Sequence, residues 1–194
     1  LYEKVCKFSS YLKKLNLHKG DRVAAYVPNK IESIICFLAC AKNGIIWSSC
    51  SPDFGAQGVV DRFKQIEPKV FITCDYYYYN GKKINILDKV EEILKQIPSI
   101  KKVIAFNYNK QERESLKNFI NFEETLKNDL DEVFERFEFN HPIYILFSSG
   151  TTGKPKCITH GSGNVLIEHN KEFMLHCDIR ENEKLFYYTT TGWM

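Results

Sequence analysis

Surplus charge of either sign is what this sequence lacks first. Its 27 Lys and Arg face 24 Asp and Glu, a net +3 with histidines neutral. So small an excess argues against nucleic acid or an anionic membrane surface as the partner. Long apolar runs are missing too. The longest candidate, Ile31 to Cys40, is interrupted by Glu32 and Ser33, well short of the ~20 apolar residues that a spanning helix needs. No secretory leader pattern is visible. Metal-type cysteine spacing is absent: the seven cysteines are irregularly placed, and Cys36 and Cys40 have no second close-spaced couple. A zinc site is therefore not expected. Reduced, mostly buried thiols in a cytoplasmic protein are. Repeats and low-complexity tracts are missing apart from Tyr76 to Tyr79. Aromatics beside lysines can stack on bases, but the near-zero charge sets that reading aside.

What is present is ordinary in amount: 194 residues, 44% hydrophobic and 26% charged, enough for a substantial core. The order of its apolar residues is more informative. Leu1, Val5, Phe8, Leu12 and Leu15 mark one face of a helix. Arg22 to Val27 reads as a buried strand. A second helix follows Pro28-Asn29, with Ile31, Ile34, Ile35 and Leu38 expected on its inner face and Asn43-Gly44 as its C-cap. Ile45–Ser49 is a strand, Ser51-Pro52-Asp53 a turn, Ala56–Gln65 a helix and Val70–Thr73 a strand. Val90, Ile93, Leu94 and Ile97 mark another helix, and Val103–Phe106 another strand. Such alternation predicts an α/β fold with a parallel-rich sheet covered by helices on both faces. From Asn107 to Asn140 the pattern loosens into a peripheral connection with one or two short helices. Pro142–Phe147 restores the sheet. Leu166, Asn170, Phe173 and Cys177 fit a final helical face, and Leu185–Thr189 a further strand.

Between Ser148 and Lys156 the chain packs four hydroxyls, two glycines and two lysines into nine positions. Glycines let backbone N–H groups point inward, hydroxyls donate to phosphate oxygens, and lysine brings a mobile cation. A Gly/Ser/Thr-rich segment between strands is otherwise simply a turn. The segment is not a Walker loop, because Ser148 stands where that motif requires Gly and Pro155 where it requires Ser or Thr. Proline biases Lys154 away from helical geometry, and Cys157-Ile158-Thr159 is strand-like. A bend between two strands, with no helix dipole behind it, is expected to hold phosphate by its own donors.

Ser148-Ser-Gly-Thr-Thr-Gly-Lys-Pro-Lys156 resembles the signature loop of the adenylate-forming superfamily, whose members usually carry Gly where this chain has Cys157. Cys157, with Ser51-Pro-Asp-Phe-Gly55 and Thr189-Thr-Thr-Gly-Trp-Met194, resembles the acetoacetyl-CoA synthetase branch. The similarity runs along the chain and is weakest from Asn107 to Asn140. It implies a partial N-terminal domain of an adenylate-forming enzyme, with residues 1–139 as an α/β subdomain and 140–194 as the start of the nucleotide-binding part. The implied reaction is ATP-dependent ligation of an acid to a thiol. Acetoacetate becomes an acyl-adenylate with loss of pyrophosphate, and coenzyme A then displaces AMP. ATP, Mg2+ and coenzyme A are the implied cofactors and substrates, and lipid metabolism and ketone-body use the implied setting.

By position in that motif, Ser148, Ser149, Thr151 and Thr152 would hold β- and γ-phosphate oxygens. Gly150 and Gly153 would permit the turn. Lys156 would be the steadier cation, and Lys154 either a second contact or a solvated charge. The loop is expected to move, because pyrophosphate must leave. Trp193 beside Gly192 would either wall the acyl pocket or pack as a core tryptophan. His160 would orient a loop residue or, as the plainer reading has it, be a satisfied structural histidine. Lys82 and Lys83 would lie near coenzyme A phosphates. The superfamily's metal-binding carboxylate, catalytic lysine and C-terminal domain all lie later than this loop. The chain thus reads as a fragment with no catalytic residue or metal ligand of its own. Alternatives remain: an acetyl- or propionyl-CoA synthetase, a phosphotransferase using a Walker variant (which Pro155 disfavours), or a non-catalytic nucleotide-binding remnant.

Overall fold

The computed structural model describes residues 1–110, 118–148 and 153–193. A seven-stranded sheet forms its centre. In chain order the elements are α1 (Tyr2–Lys14), β1 (Arg22–Tyr26), α2 (Ile31–Lys42), β2 (Ile46–Cys50), α3 (Ala56–Phe63) and β3 (Val70–Cys74). A small hairpin follows, β4 (Tyr76–Tyr79) and β5 (Lys82–Asn85), then α4 (Leu87–Gln96), β6 (Lys102–Phe106), β7 (Ile120–Asn121) and α5 (Phe122–Thr125). Last come β8 (Pro142–Ser148), β9 (Lys156–Gly161), α6 (Ser162–Lys171) and a π-helical turn, Glu172–His176.

The sheet order is β7-β6-β3-β1-β2-β8-β9. Every neighbouring pair is parallel except β8 with β9. β2 and β3 are buried along their whole length, as strands covered on both faces are. α1, α2 and α5 pack together, and α3 packs with α4. The chain runs from β1 to one side for β2, then back across to β3. That reversal falls between β1 and β3, and in open parallel sheets ligand crevices form outside the strand C-termini at such a point.

Three of the expectations about elements and faces need correction. In α2, Ile31 and Ile34 are exposed; the buried positions include Ile35, Cys36, Ala39 and Cys40. Apolar residues occur almost all round this helix, so spacing alone did not select a face. The small Ala and Cys side chains let it sit close to its neighbours. Leu185–Thr189 forms no strand. It is held instead by loops: Asn29 Nδ2 donates to the Thr189 carbonyl at 2.6 Å, and Thr191 Oγ1 to the Val27 carbonyl at 3.0 Å. The helix expected around Leu166 to Cys177 is α6 continued by the π-helical turn, but Leu166 and Phe173 are exposed and Val165 is the buried residue of α6. The 107–140 connection carries a short helix as expected, α5, and adds a two-residue edge strand, β7, which pairs with β6.

Five of the seven cysteines are buried; Cys157 and Cys177 are exposed, and all seven are free. Among the described residues no helix is long and apolar enough to cross a membrane, and no group of three His, Cys, Asp or Glu could hold a metal ion.

Candidate active site

β8 is drawn into the sheet by the Trp47–Tyr144 pairing and by Ser48 Oγ, which donates to the Ile145 carbonyl at 2.7 Å. β9 then returns antiparallel, in continuous register from Tyr144↔His160 to Ser148↔Lys156, with an irregularity between Pro142 and Tyr144. Ser148 and Lys156 therefore face each other at the mouth of the loop. The loop joins two strands, and the next helix begins only at Ser162, so no helix dipole stands behind it. Gly153, Lys154 and Lys156 are exposed. Ser149, Gly150, Thr151 and Thr152 lie outside the described residues.

α3 underlies both arms of this hairpin. Phe63 meets Phe147 edge-on, with ring centroids 6.4 Å apart. Gln65, just past the helix, donates from Nε2 to the Pro155 carbonyl at 2.9 Å. Arg62 lies over the Phe54 ring, 4.5 Å from its centroid, and donates to the Gly58 carbonyl at 2.7 Å. No ion pair to Arg62 occurs among the described residues. Cys50, Phe54, Arg62, Phe147, Ser148 and Gly192 border a cavity of about 290 Å³ beside Trp193.

Trp193 is 75% exposed and does not pack into the core of the described residues. It stands between that cavity and a second one of about 210 Å³, lined by Ile34, Phe37, Trp47, Tyr144, Leu146 and Thr191 among others. The turn carrying Trp193 is fixed by Ser49 Oγ, which donates to the Thr191 carbonyl at 2.6 Å. Ser49 Oγ in turn accepts from Trp47 Nε1 at 3.1 Å. The exposed isoleucine of α2, Ile34, thus belongs to a pocket wall. Sequence spacing could not supply that role, since it depends on a chain segment 159 residues away.

His160 packs against Tyr144, ring centroids 4.8 Å apart. Its Nε2 is buried without a hydrogen-bond partner among the described residues. The loop residues Ser149 to Thr152, which it would orient, lie outside the described residues.

Lys82 and Lys83 lie on β5, opposite Tyr79 and Tyr78 of β4, in a two-stranded sheet separate from the one that carries β8 and β9. The hairpin turns on Asn80 and Gly81, both with positive φ, 47° and 75°, as a tight two-residue connection requires. Lys83 Nζ sits 3.9 Å from the centroid of the Tyr76 ring. Beside this hairpin, at the β1/β3 reversal, is a groove of about 220 Å³ lined by Tyr77, Tyr78, Tyr79, Tyr108 and Tyr188 with Pro28, Asn29 and the Ser51–Asp53 turn. Burial, together with the neighbouring Asp53 carboxylate, pushes the Tyr77 hydroxyl up to about 12. The turn residues were recognisable in the sequence; the groove was not, because its tyrosines come from three separate segments. The Asn80-Gly81 pair after a run of tyrosines was the available signal for the hairpin.

A family model described as AMP-binding enzyme matches residues 1–193. The acetoacetyl-coenzyme A synthetase of Rhizobium meliloti (strain 1021) is 46% identical over 98% of this chain and 30% of its own length. That of Macaca fascicularis is 40% identical over the whole chain and 30% of its own length. A solved structure titled acetoacetyl-CoA synthetase from Streptomyces lividans superposes with a TM-score of 0.93 at 39% identity, over 99% of this chain and 29% of that one. The chain thus spans about 30% of the length of the curated relatives it matches. With residues 1–193 matched by that family model, the chain belongs to the AMP-binding enzyme family.

Proposed function

We propose that the full-length protein is an AMP-forming acetoacetate–CoA ligase, and that this chain supplies its phosphate loop and part of its acyl and coenzyme A sites. The observation that carries the reading is the Ser148↔Lys156 pairing. It sets a hydroxyl-bearing and an ammonium-bearing residue opposite each other at the neck of a loop rich in further hydroxyls. The similarity to acetoacetyl-CoA synthetases supports the choice of acid.

In the first half-reaction an acetoacetate carboxylate oxygen attacks the α-phosphorus of ATP, and the bond to pyrophosphate breaks. Negative charge grows on the departing oxygens. Donors already aimed at that charge lower the barrier without reorganising. We assign that role to Ser148, Ser149, Thr151, Thr152 and Lys156, with Lys154 as an outer cation. Gly150 and Gly153 give the bend its room. No general base is needed, because the attacking carboxylate is ionised at neutral pH. Magnesium would enter with the nucleotide. The loop side chains offer hydroxyls and amines but no carboxylate, so its protein ligands are not assigned to this chain.

In the second half-reaction the coenzyme A sulfur attacks the acyl carbonyl, AMP leaves, and the thiol proton goes to solvent. The tyrosine groove at the sheet's reversal suits the nucleotide end of coenzyme A: its rings offer stacking surface, and Lys82 and Lys83 lie on the adjoining strand. Trp193, with Trp47 and Ile34, suits the wall of a small acyl pocket. We take residues 140–194 as the start of the nucleotide-binding part and 1–139 as the α/β subdomain beneath it. Free, mostly buried thiols fit a cytoplasmic location, and consumption of acetoacetate fits a role in ketone-body use and lipid metabolism.

The deciding assay supplies the full-length protein with ATP, coenzyme A and either acetoacetate or acetate, and measures pyrophosphate. Pyrophosphate release with greater kcat/KM for acetoacetate is expected. Greater efficiency on acetate would remove the choice of acid, and ADP in place of pyrophosphate and AMP would remove the ligase.

A further inference from the structure

We propose that Gln65 is a positioning residue for the phosphate loop, clasping its returning arm to α3 through both ends of one side-chain amide. The inference rests on reading residues 148–156 as the phosphate site.

The returning arm has little else to hold it. β9 is the edge strand of the sheet and is exposed along its first four residues. The last ladder pair before the bend is Ser148↔Lys156. Pro155 has no N–H to give a neighbour, so its carbonyl is the backbone group by which it can be tied. Gln65 Nε2 has two hydrogens. One goes to the Asp61 carbonyl at 2.7 Å, anchoring the side chain to its own helix; the other goes to Pro155 at 2.9 Å. Gln65 Oε1 accepts from Cys157 Sγ at 3.7 Å. The amide therefore touches residues on both sides of Lys156.

α3 makes a firm anchor, since Val59, Val60 and Phe63 are buried in the core. Phe63 also meets Phe147 on the outgoing arm. One helix end thus sets the position of both arms, and with it the separation across which phosphate oxygens must be gripped. The clasp also accounts for Cys157. A thiol there has an acceptor, where Gly, usual in this superfamily, would leave Oε1 without that donor.

The experiment uses the full-length protein with Gln65→Ala and Gln65→Glu, and Lys156→Ala as a control. ATP–pyrophosphate exchange gives KM for ATP and kcat. Alkylation of Cys157 by iodoacetamide, followed by peptide mass spectrometry, reads the clasp without any turnover. Loss of one hydrogen bond to the loop should raise KM for ATP ~5-fold, with kcat and KM for acetoacetate changing less than about twofold. Gln65→Ala should also speed Cys157 alkylation ~3-fold, as the thiol loses its acceptor. Gln65→Glu keeps an acceptor but no donor, so it should raise KM for ATP while leaving Cys157 as slow as in the parent. A merely structural glutamine would not split the two readouts in this way. If both Gln65 variants leave KM and alkylation unchanged while Lys156→Ala raises KM or lowers kcat, the positioning role is overturned and the phosphate site stands. If Lys156→Ala also leaves both KM and kcat unchanged, the phosphate reading falls and the proposal with it.

Discussion

Gly192 lies directly against the backbone of Ser49. A Cβ built on Gly192 would stand 2.6 Å from the Ser49 carbonyl oxygen and 3.2 Å from Cys50 Cα. Both are backbone atoms of a fully buried strand, so neither can yield as a flexible side chain would. Gly192 is what allows the Trp193 turn to close over the end of β2.

Gly192→Ala should therefore push the Thr190–Trp193 turn outward. Overpacking of this kind costs ~1–3 kcal/mol, to be read as a lowered urea midpoint. The same shift should raise KM for acetoacetate more than KM for ATP, because it opens the cavity walled by Trp193. A variant with parental midpoint and kinetics would mean that the turn does not rest on β2 in solution.

Tyr26 is fully buried, and its hydroxyl lies 2.8 Å from the Pro52 carbonyl and 2.7 Å from that of Phe54. Burial holds its pKa well above the usual tyrosine value, so it serves as a neutral donor. Tyr26→Phe keeps the ring and strips the Ser51–Phe54 turn of that donor. A stability loss of ~1–2 kcal/mol is expected, with a weaker KM for coenzyme A, since Pro52 and Asp53 border the tyrosine groove. Denaturation and initial-rate measurements check both.

Much of the architecture was written plainly in the residues. Apart from the β4–β5 hairpin, helix and strand alternate as far as Phe106, and each strand of the large sheet in this part is a short apolar block. The connection from Ser148 to Lys156 was legible as a strand-to-strand loop, because a run rich in Gly, Ser and Thr stands between two strand-like segments. Features that depend on contacts between distant segments stayed hidden. α2 carries apolar residues on nearly every side, so only packing reveals that Ile34 faces a pocket while Cys36 and Ala39 face the core. Leu185–Thr189 has strand-like composition, yet its carbonyl hydrogen bond goes to the Asn29 side chain. Gln65 gave no sequence signal at all, being one exposed glutamine after a helix. Its partners are 90 and 92 residues away.

Lys42 is a buried lysine whose ammonium meets Asp131 Oδ2 at 3.0 Å and the Val133 carbonyl at 2.6 Å. Lys13 reaches the same carboxylate oxygen at 2.8 Å. Burial alone would raise the Asp131 pKa, but its hydrogen bonds to Lys13 and Lys42 outweigh that and bring it down to about 2. A carboxylate with a depressed folded-state pKa stabilises fully above its unfolded value and loses that contribution as pH falls through the folded one. Asp131→Asn should thus cost ~3 kcal/mol near neutrality, since it leaves Lys42 buried without its countercharge. The gap to the parent should shrink between about pH 4 and pH 2, the interval set by the ordinary and depressed values. Urea titrations across that range supply the test, and a pH-independent gap would show that the pair does not titrate as described.

Replacing Lys156 is expected to separate the two proposed half-reactions. Its backbone is fixed by pairing with Ser148, while its side chain is exposed and long enough to reach into the loop. If its ammonium meets the charge that develops on pyrophosphate, Lys156→Ala should slow single-turnover adenylation ~100-fold, the scale for removing one donor aimed at developing charge. Thioester formation from supplied acetoacetyl-adenylate should stay within about twofold, because no pyrophosphate leaves in that step. Folding should be little affected, since the lost side chain is solvent-facing. Rapid quench with labelled ATP measures the first step, and coenzyme A consumption from synthetic adenylate the second. Equal losses in both would make Lys156 a support for the hairpin and not a ligand of the nucleotide.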